Sequence, residues 1–268
     1  MTLKEAIKAL SDAGIDSAGY DAREIFSIIG GLPRSALVLS DAECDSEAVI
    51  DAIRRRASRE PLQYIIGEVD FYRESYFVSP ACLIPRADTE ILVDYAVKNL
   101  PRGVRFADIC TGSGCVAISV AKNTQETKAV AVDISADALS IARKNAERNQ
   151  VSDRIEFVMA DAKSFVAEPI FALLSNPPYV SDSAYLELEG EIFHEPRIAF
   201  VGGSDGGDFY RALTKNYKDV IAEEGFIAYE IGYDQAEMLS EIARESNMSC
   251  EIIKDLSGND RVAVLRRK

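Results

Sequence analysis

A chain of 268 residues, 47% hydrophobic and 28% charged, is long enough for one large α/β domain plus a small one and too apolar for wholesale disorder. Its formal net charge is −14, and neither residues 1–80 nor residues 81–268 carry an excess of Lys and Arg. Binding to a polyanion draws much of its affinity from basic side chains neutralising phosphates, so direct nucleic-acid binding is not expected.

Residues 1–63 read as a small helical domain. Thr2 and Glu5 have the spacing of a capping box, Leu3, Ile7 and Leu10 follow at helical spacing, and Gly14 ends the turn. A second apolar stripe, Ile25, Phe26, Ile28 and Ile29, precedes Gly30-Gly31. A third, Val49, Ile50 and Ile53, leads into Arg54, Arg55, Arg56 and Arg59, a basic run expected to be a solvated helix face. No phosphate loop, ligand cluster or nucleophile signature occurs here, so the domain is expected to bind a partner or cover a site.

Residues 64–85 read as a β-hairpin linker, from strand-like Tyr64-Ile65-Ile66-Gly67 through Phe71-Tyr72 to Tyr76-Phe77-Val78. Residues 86–268 read as an α/β domain, opening with a helix from Thr89 that carries Ile91, Leu92, Tyr95 and Ala96. Strands are expected at 104–109, 128–132, 155–158, 171–175, 225–230 and 260–265, and helices at 114–123, 135–149, 208–222 and 234–246. Such alternation implies parallel βαβ units with helices on both faces of one sheet. Residues 177–207 are too long for a plain connection, which marks a binding loop or lid.

Two motifs carry chemistry. After the first strand of that domain comes Asp108-Ile109-Cys110-Thr111-Gly112-Ser113-Gly114, whose glycines let the backbone turn sharply against a ligand at a helix N-terminus. The next strand ends in Asp133, placed to accept hydrogen bonds from both ribose hydroxyls of an adenosine. The cofactor stays open at this point, because Gly112-x-Gly114-x-x-Ala117 also satisfies the loose dinucleotide fingerprint of NAD. Asp161-Ala162 stands where a methyltransferase would hold adenine.

The second motif, Asn176-Pro177-Pro178-Tyr179, ends the fourth strand. Two prolines fix two φ angles and remove two backbone donors, leaving the Asn176 and Pro177 carbonyls without a competing N–H. With the Asn176 side-chain oxygen they make an acceptor-rich site suited to a planar –NH2 group, on which Tyr179 can pack. Rigid acceptors of this kind aim an otherwise poor amide nucleophile at an activated methyl carbon. A sulfonium donor then needs no metal, and NAD loses most of its weight.

The five cysteines, Cys44, Cys82, Cys110, Cys115 and Cys250, are odd in number and have no Cys-x-x-Cys pair. They fit a reducing compartment rather than a disulfide framework or a structural zinc site. Residues 1–5 begin no apolar core of signal-peptide length, and nowhere do 18 apolar residues run together, so a cytoplasmic protein without a membrane partner is expected.

Over nearly all of residues 60–268 the chain resembles the release factor glutamine methyltransferases (HemK/PrmC). The resemblance is carried by Phe77-Val78-Ser79-Pro80, Leu83-Ile84-Pro85-Arg86-Ala87-Asp88-Thr89-Glu90, Thr111-Gly112-Ser113-Gly114, Asn176-Pro177-Pro178-Tyr179, Glu195-Pro196-Arg197, Gly206-Gly207-Asp208-Phe209-Tyr210 and Asn259-Asp260-Arg261-Val262. It implies a Rossmann-like, seven-stranded class I methyltransferase domain behind a small helical domain that helps hold a release factor. It also implies methyl transfer from S-adenosyl-L-methionine to the glutamine of a Gly-Gly-Gln tripeptide. The cofactor contacts it implies are Arg86, Thr89, Asp108, Cys110, Thr111, Gly112, Ser113, Gly114, Asp133, Ile134, Asp161, Ala162 and Asn176. Catalysis falls to Asn176, Pro177, Pro178 and Tyr179. Three positions depart from the family: Cys110 stands where glycine is usual, Ala87 where proline is usual, and His194 where an aromatic residue commonly precedes Glu-Pro. His194 is read as a partly exposed loop residue. The rivals are a ribosomal-protein glutamine methyltransferase with the same two sites, a nucleic-acid amine methyltransferase disfavoured by the acidic balance, and a silent binding protein disfavoured by intact motifs.

Overall fold

The computed structural model describes residues 1–38, 42–188 and 190–268. It contains two compact units, one of Met1–Glu68 together with the 3-10 turn Gly190–His194, the other holding the rest.

The first unit is built from helices α1 (Leu3–Asp12), α2 (Ala18–Ile28), α3 (Glu47–Ala57) and the short α4 (Leu62–Ile66). α1 starts at the expected capping box: the Glu5 N–H donates to Thr2 Oγ1 at 3.2 Å and the Thr2 N–H to Glu5 Oε2 at 2.8 Å. Leu3 and Leu10 meet Ile25, Phe26, Val49 and Ile53 in one buried cluster.

Two expectations fail here. The arginine run is not uniformly solvated, because Arg56 is buried. Val49, Ala52, Ile53 and Arg56 fall at i, i+3, i+4 and i+7, so Arg56 lies on the stripe that faces the core. Its charge is met there by Asp21 at 2.6 Å, Glu191 at 2.5 Å and the Glu60 carbonyl at 3.1 Å. Arg54 and Arg55 pair with Asp51 and Glu60, and Arg59 donates to the Gly14 carbonyl at 3.0 Å. Tyr64-Ile65-Ile66, read as strand, belong to α4. Pro61 starts that helix, and Gly67, at φ 85°, closes it by donating to the Gln63 carbonyl at 2.7 Å.

In the second unit a hairpin, β1 (Glu68–Phe71) and β2 (Glu74–Phe77), leads to α5 (Thr89–Asn99). There follow β3 (Arg105–Ile109), α6 (Cys115–Asn123), β4 (Lys128–Asp133), α7 (Ala136–Arg148), β5 (Ile155–Met159) and β6 (Ile170–Ser175). After α8 (Asp182–Glu187) the chain completes the domain with α9 (Asp208–Tyr217), β7 (Ile221–Glu230), α10 (Ala236–Glu245), β8 (Met248–Lys254) and β9 (Asp260–Arg267). The seven-stranded sheet has the order β5-β4-β3-β6-β7-β9-β8, parallel from β5 to β7 and antiparallel where β9 meets β7 and β8. This is the fold of class I methyltransferases.

The central strands are buried on both faces, as parallel strands must be when helices cover both sides. Side chains alternate between two clusters: Phe106, Ala131, Leu174 and Phe226 pack on one face, Ala107, Val130, Leu173 and Ile227 on the other. Helix α9 stops at Tyr217 rather than 222, because Ile221 already opens β7. The exposed Ala222-Glu223-Glu224 at its start lack strand-like patterning. The register shift between Ile170 and Ala172 falls beside Gly225, where a Cβ would collide with the Phe171 carbonyl. β8, the seventh strand that the resemblance implies, has no counterpart among the six strands read from the pattern; it is a half-exposed edge strand in which Ser249, Glu251 and Lys254 interrupt Met248, Cys250, Ile252 and Ile253.

One buried polar side chain ties the elements around the first motif together. Asn145 on α7 accepts from the Phe77 N–H at 2.7 Å and donates to the Phe77 carbonyl at 3.0 Å and the Ser113 carbonyl at 2.9 Å. Replacing it orphans three backbone groups, each costing about 1 kcal/mol or more when buried. Asn145→Ala is expected to lower the unfolding free energy by roughly 2–4 kcal/mol in urea titrations followed by circular dichroism.

Candidate active site

Sheet register gathers the site. Parallel pairing sets Val132 beside Ile109, Ile109 beside Ser175, and Ser175 beside Tyr229. The next residue on each strand is Asp133, Cys110, Asn176 and Glu230, so four chemically distinct groups stand in one row at the carboxyl edge. Between β3 and β6 the strand order reverses, which opens the crevice where α/β sheets bind ligands. A cavity of about 370 Å³ lies there, wholly within the second unit, in the size range of small-molecule sites.

At one end is the glycine turn. Gly112, at φ 54°, donates to Asp133 Oδ2 at 2.8 Å, and the Ser135 N–H donates to Asp133 Oδ1 at 2.9 Å. Each carboxylate oxygen keeps a second lone pair for a ligand. Asp108 closes the same turn from beneath, accepting from Thr111 Oγ1 at 2.6 Å and the Ala117 N–H at 3.0 Å. Ser113 Oγ is buried with no hydrogen-bond partner among the described residues, which leaves a donor for a ligand to satisfy. Cys110, the departure from the family's glycine, takes the left-handed conformation at φ 64° that glycine adopts without strain.

The cavity is lined by Arg86, Thr89, Asp108, Cys110, Thr111, Gly112, Ser113, Asp133, Ile134, Asp161, Ala162, Asn176 and Pro178. Gly114, Pro177 and Tyr179 lie outside the lining. Gly114, at φ 82°, serves helix packing: a Cβ would come within 3.0 Å of Ala142 and Ile118. Tyr179 is half-buried, packs against the second core cluster, and accepts from Gln235 Nε2 through its carbonyl at 2.9 Å. Cys82 and Cys115 also line the cavity. Burial raises all three of its thiols, Cys82 to about 11 and Cys110 and Cys115 further.

At the other end, Asn176 Nδ2 donates to Thr89 Oγ1 at 3.2 Å. The segment after it is braced rather than free. The Val180 N–H donates to the Phe200 carbonyl and the Gly202 N–H to the Val180 carbonyl, both at 2.8 Å. A Cβ at Gly202 would strike the Pro178 carbonyl, and one at Gly206 the Tyr179 carbonyl. Within residues 177–207, then, the described part after Glu195 is a scaffold for Asn176-Pro177-Pro178-Tyr179, and its Ile198, Ala199 and Val201 line the cavity. Glu195 is buried, accepts from the Ile84 N–H at 3.0 Å and pairs with Arg86. His194 is exposed.

Asn145, Gln235 and Glu230 were missed as supports of the site. Only Glu230 leaves a trace in the sequence, an acid closing the apolar run Phe226-Ile227-Ala228-Tyr229 as Asp133 closes its own. Burial pushes the Glu230 carboxyl up to about 7 and the Asp108 carboxyl, 1% exposed, up to about 6. The folded protein therefore keeps the Asp108 proton at pH values where the unfolded chain has released it. Stability falls as pH rises from about 4 to about 6, by on the order of 2–3 kcal/mol from this group. Urea melts across that range are expected to show a shallower decline for Asp108→Asn.

Known proteins share both units. Residues 2–67 match the PrmC N-terminal domain and residues 87–203 the methyltransferase small domain. The crystal structure of a ribosomal protein L11 methylase from Lactobacillus delbrueckii subsp. bulgaricus has the same fold, with a TM-score of 0.52 at 18% identity over 68% of this chain and 80% of that one. The release factor glutamine methyltransferase of Thermodesulfovibrio yellowstonii is 37% identical over 257 residues, 92% of each chain. That of Caulobacter vibrioides is 34% identical over 264 residues, covering 95% of this chain and 91% of its own. At such identity over nearly its whole length, the chain belongs to the release factor glutamine methyltransferase family.

Proposed function

We propose that the chain transfers a methyl group from S-adenosyl-L-methionine to the side-chain amide nitrogen of the glutamine in the Gly-Gly-Gln motif of peptide-chain release factors. The observation that carries this reading is the Asn176 amide. One of its two Nδ2 protons goes to Thr89, and Oδ1 is an acceptor at a cavity whose other end offers the Asp133 lone pairs and the Ser113 hydroxyl. Family membership makes S-adenosyl-L-methionine the donor, and the chemistry of the cavity fits it: a carboxylate with free lone pairs for ribose hydroxyls, and Ile134 and Ala162 as apolar walls beside Asp161 for adenine. Thr111, Gly112, Ser113, Cys110, Asp108, Arg86 and Thr89 complete the cofactor side. The bound sulfonium supplies a methyl group already activated for transfer.

The protein's own part is positioning. Asn176 Oδ1 and the Pro177 carbonyl, which Pro178 leaves without a neighbouring N–H, hold the two N–H bonds of the substrate amide. Pro178 keeps that carbonyl fixed, and Tyr179 borders the flat amide. Holding both protons concentrates electron density on nitrogen and directs its lone pair, an orientation effect worth several kcal/mol of barrier.

We assign the helical unit through α4 to holding the release factor, the hairpin segment that follows, up to residue 85, to the linker, and residues 86–268 to catalysis. The match of residues 2–67 to the PrmC N-terminal domain supports the release factor over a ribosomal protein as substrate. The five free cysteines support action in the cytoplasm. No helix among the described residues is long and apolar enough to cross a membrane.

Asn176→Ala is expected to abolish transfer while cofactor affinity stays within about tenfold, or ~1.4 kcal/mol. Near-normal turnover in that variant contradicts the mechanism. Asp133→Ala is expected to weaken cofactor binding by at least about tenfold in calorimetry, since it removes a two-oxygen acceptor. Labelled methyl is expected on a purified release factor and absent when its Gly-Gly-Gln glutamine is replaced. Equal labelling of both, or labelling only of ribosomal protein or RNA, overturns the assignment.

A further inference from the structure

A proline fixes φ and leaves ψ free, so Pro177 and Pro178 do not by themselves aim the Pro177 carbonyl. That direction has to be held from further along the chain. Strand pairing does not supply the hold, because the register of β6 with β7 ends where Ser175 meets Tyr229. Beyond that pair the segment meets Gln235, a buried residue at the start of α10, whose Nε2 donates to the Tyr179 carbonyl at 2.9 Å.

The Gln235 amide is held in one orientation by backbone groups of opposite polarity. Its Oε1 accepts from the Gly232 N–H at 2.9 Å, a group that can only donate, and its Nε2 faces a carbonyl that can only accept. The Gln235 N–H returns to the Gly232 carbonyl at 3.0 Å and closes the turn. The buried Tyr210 hydroxyl, which donates to the Glu230 carbonyl at 2.9 Å, lies 3.1 Å from the same Oε1. Gly206 makes room for the contact: a Cβ there would collide with the Tyr179 carbonyl and stand 2.9 Å from Gln235 Nε2. A glutamate at 235 would keep every acceptor contact and lose only the donor, so two residues of nearly equal shape differ here in the one bond that reaches Tyr179.

We propose that Gln235 is a positioning residue for methyl transfer: its amide N–H, gripping the Tyr179 carbonyl, locks the ψ angles of Pro177 and Pro178 and so aims the Pro177 carbonyl at the substrate amide. This inference rests on the clasp assigned above to Asn176 and Pro177. The Val180 N–H, donating to the Phe200 carbonyl at 2.8 Å, holds the outer end of the segment whatever side chain stands at 235. Loss of the Gln235 donor therefore turns the carbonyls of the segment without releasing the segment itself. A misdirected acceptor loses its hold on the amide in the transition state, while the release factor and the cofactor still bind through their other contacts.

The test compares steady-state methylation of a purified release factor by full-length Gln235→Glu and Gln235→Met, each checked for folding by circular dichroism, with cofactor affinity from calorimetry. At about pH 9, Gln235→Glu is expected to lose at least about 30-fold in kcat, with KM for the release factor and Kd for the cofactor within about threefold. A buried carboxyl facing a carbonyl oxygen holds its proton above the usual carboxylate range, and the protonated form donates again. Its kcat relative to wild type is therefore expected to climb at least about fivefold as pH falls from about 9 to about 6. Comparison with wild type at each pH cancels the titratable side chains around position 235, namely Tyr179, Tyr210, Glu230 and Asp234, with Asp205 and Arg211 beside the Gly206 loop. Gln235→Met keeps the length without either polar end, and its loss of about tenfold or more in kcat is expected not to change with pH. Should Gln235→Glu fail to fold, Gln235→Met decides. A kcat within about twofold of wild type in these variants, with Asn176→Ala inactive, overturns the proposal and leaves the role of Asn176 standing. Activity in all three overturns both readings. A Gln235→Glu defect that low pH does not relieve, or one matched by an equal loss of cofactor affinity, also overturns the proposal, because the side chain then acts by something other than donating to Tyr179.

Discussion

The parallel register at the carboxyl edge of the sheet is the constraint on which the rest depends. Val132, Ile109, Ser175 and Tyr229 are hydrogen-bonded neighbours, so the residues that follow them leave the sheet side by side. None of these four strands can slip by one residue without sending its site residue to the other face and its apolar side chains into the wrong cluster. Precision at the site therefore comes from the burial of Phe106, Val130, Leu173 and Ile227 on either side of the sheet. The Ser175 hydroxyl, donating to the Ile109 carbonyl at 2.5 Å, adds a side-chain link between the two strands that flank the crevice.

Around that row the protein accepts local cost for geometry. Asp108 and Glu230 are acids held in nearly complete burial, and their neutral forms are favoured for that reason. Cys110 is a side chain in a conformation that glycine occupies freely. Gly202 and Gly206 surrender a side chain so that two backbones touch. The apolar clusters on both faces of the sheet supply the stability that these departures consume.

Much of this was legible before the fold was known, and the part that was not has physical reasons. Gly112, Asp133 and Asn176 announce themselves because a turn glycine, a strand-end acid and an Asn-Pro-Pro-Tyr segment each demand an unusual local chemistry. Strands β4 and β6 were equally plain, being continuous apolar runs. The edge strand β8 was silent, since Ser249, Glu251 and Lys254 keep its apolar residues from forming a continuous run. Arg56 and Asn145 were invisible because their meaning lies in partners distant in sequence, Asp21 and Glu191 for the one, Phe77 and Ser113 for the other. Residue type alone placed Arg56 in solvent; its helical phase with Val49 and Ile53 placed it in the core.

The thiols along the cavity wall have a chemical consequence. A sulfonium methyl donor is an alkylating agent, and the side chain most able to attack it is a cysteine thiolate. Cys82, Cys110 and Cys115 all border the space where such a donor fits, and burial raises each thiol, lowering a thiolate fraction that is already small in a free cysteine at neutral pH. A protonated thiol is a feeble nucleophile. Raised thiols thus weigh against self-methylation and in favour of an amide that would lose any open competition with sulfur.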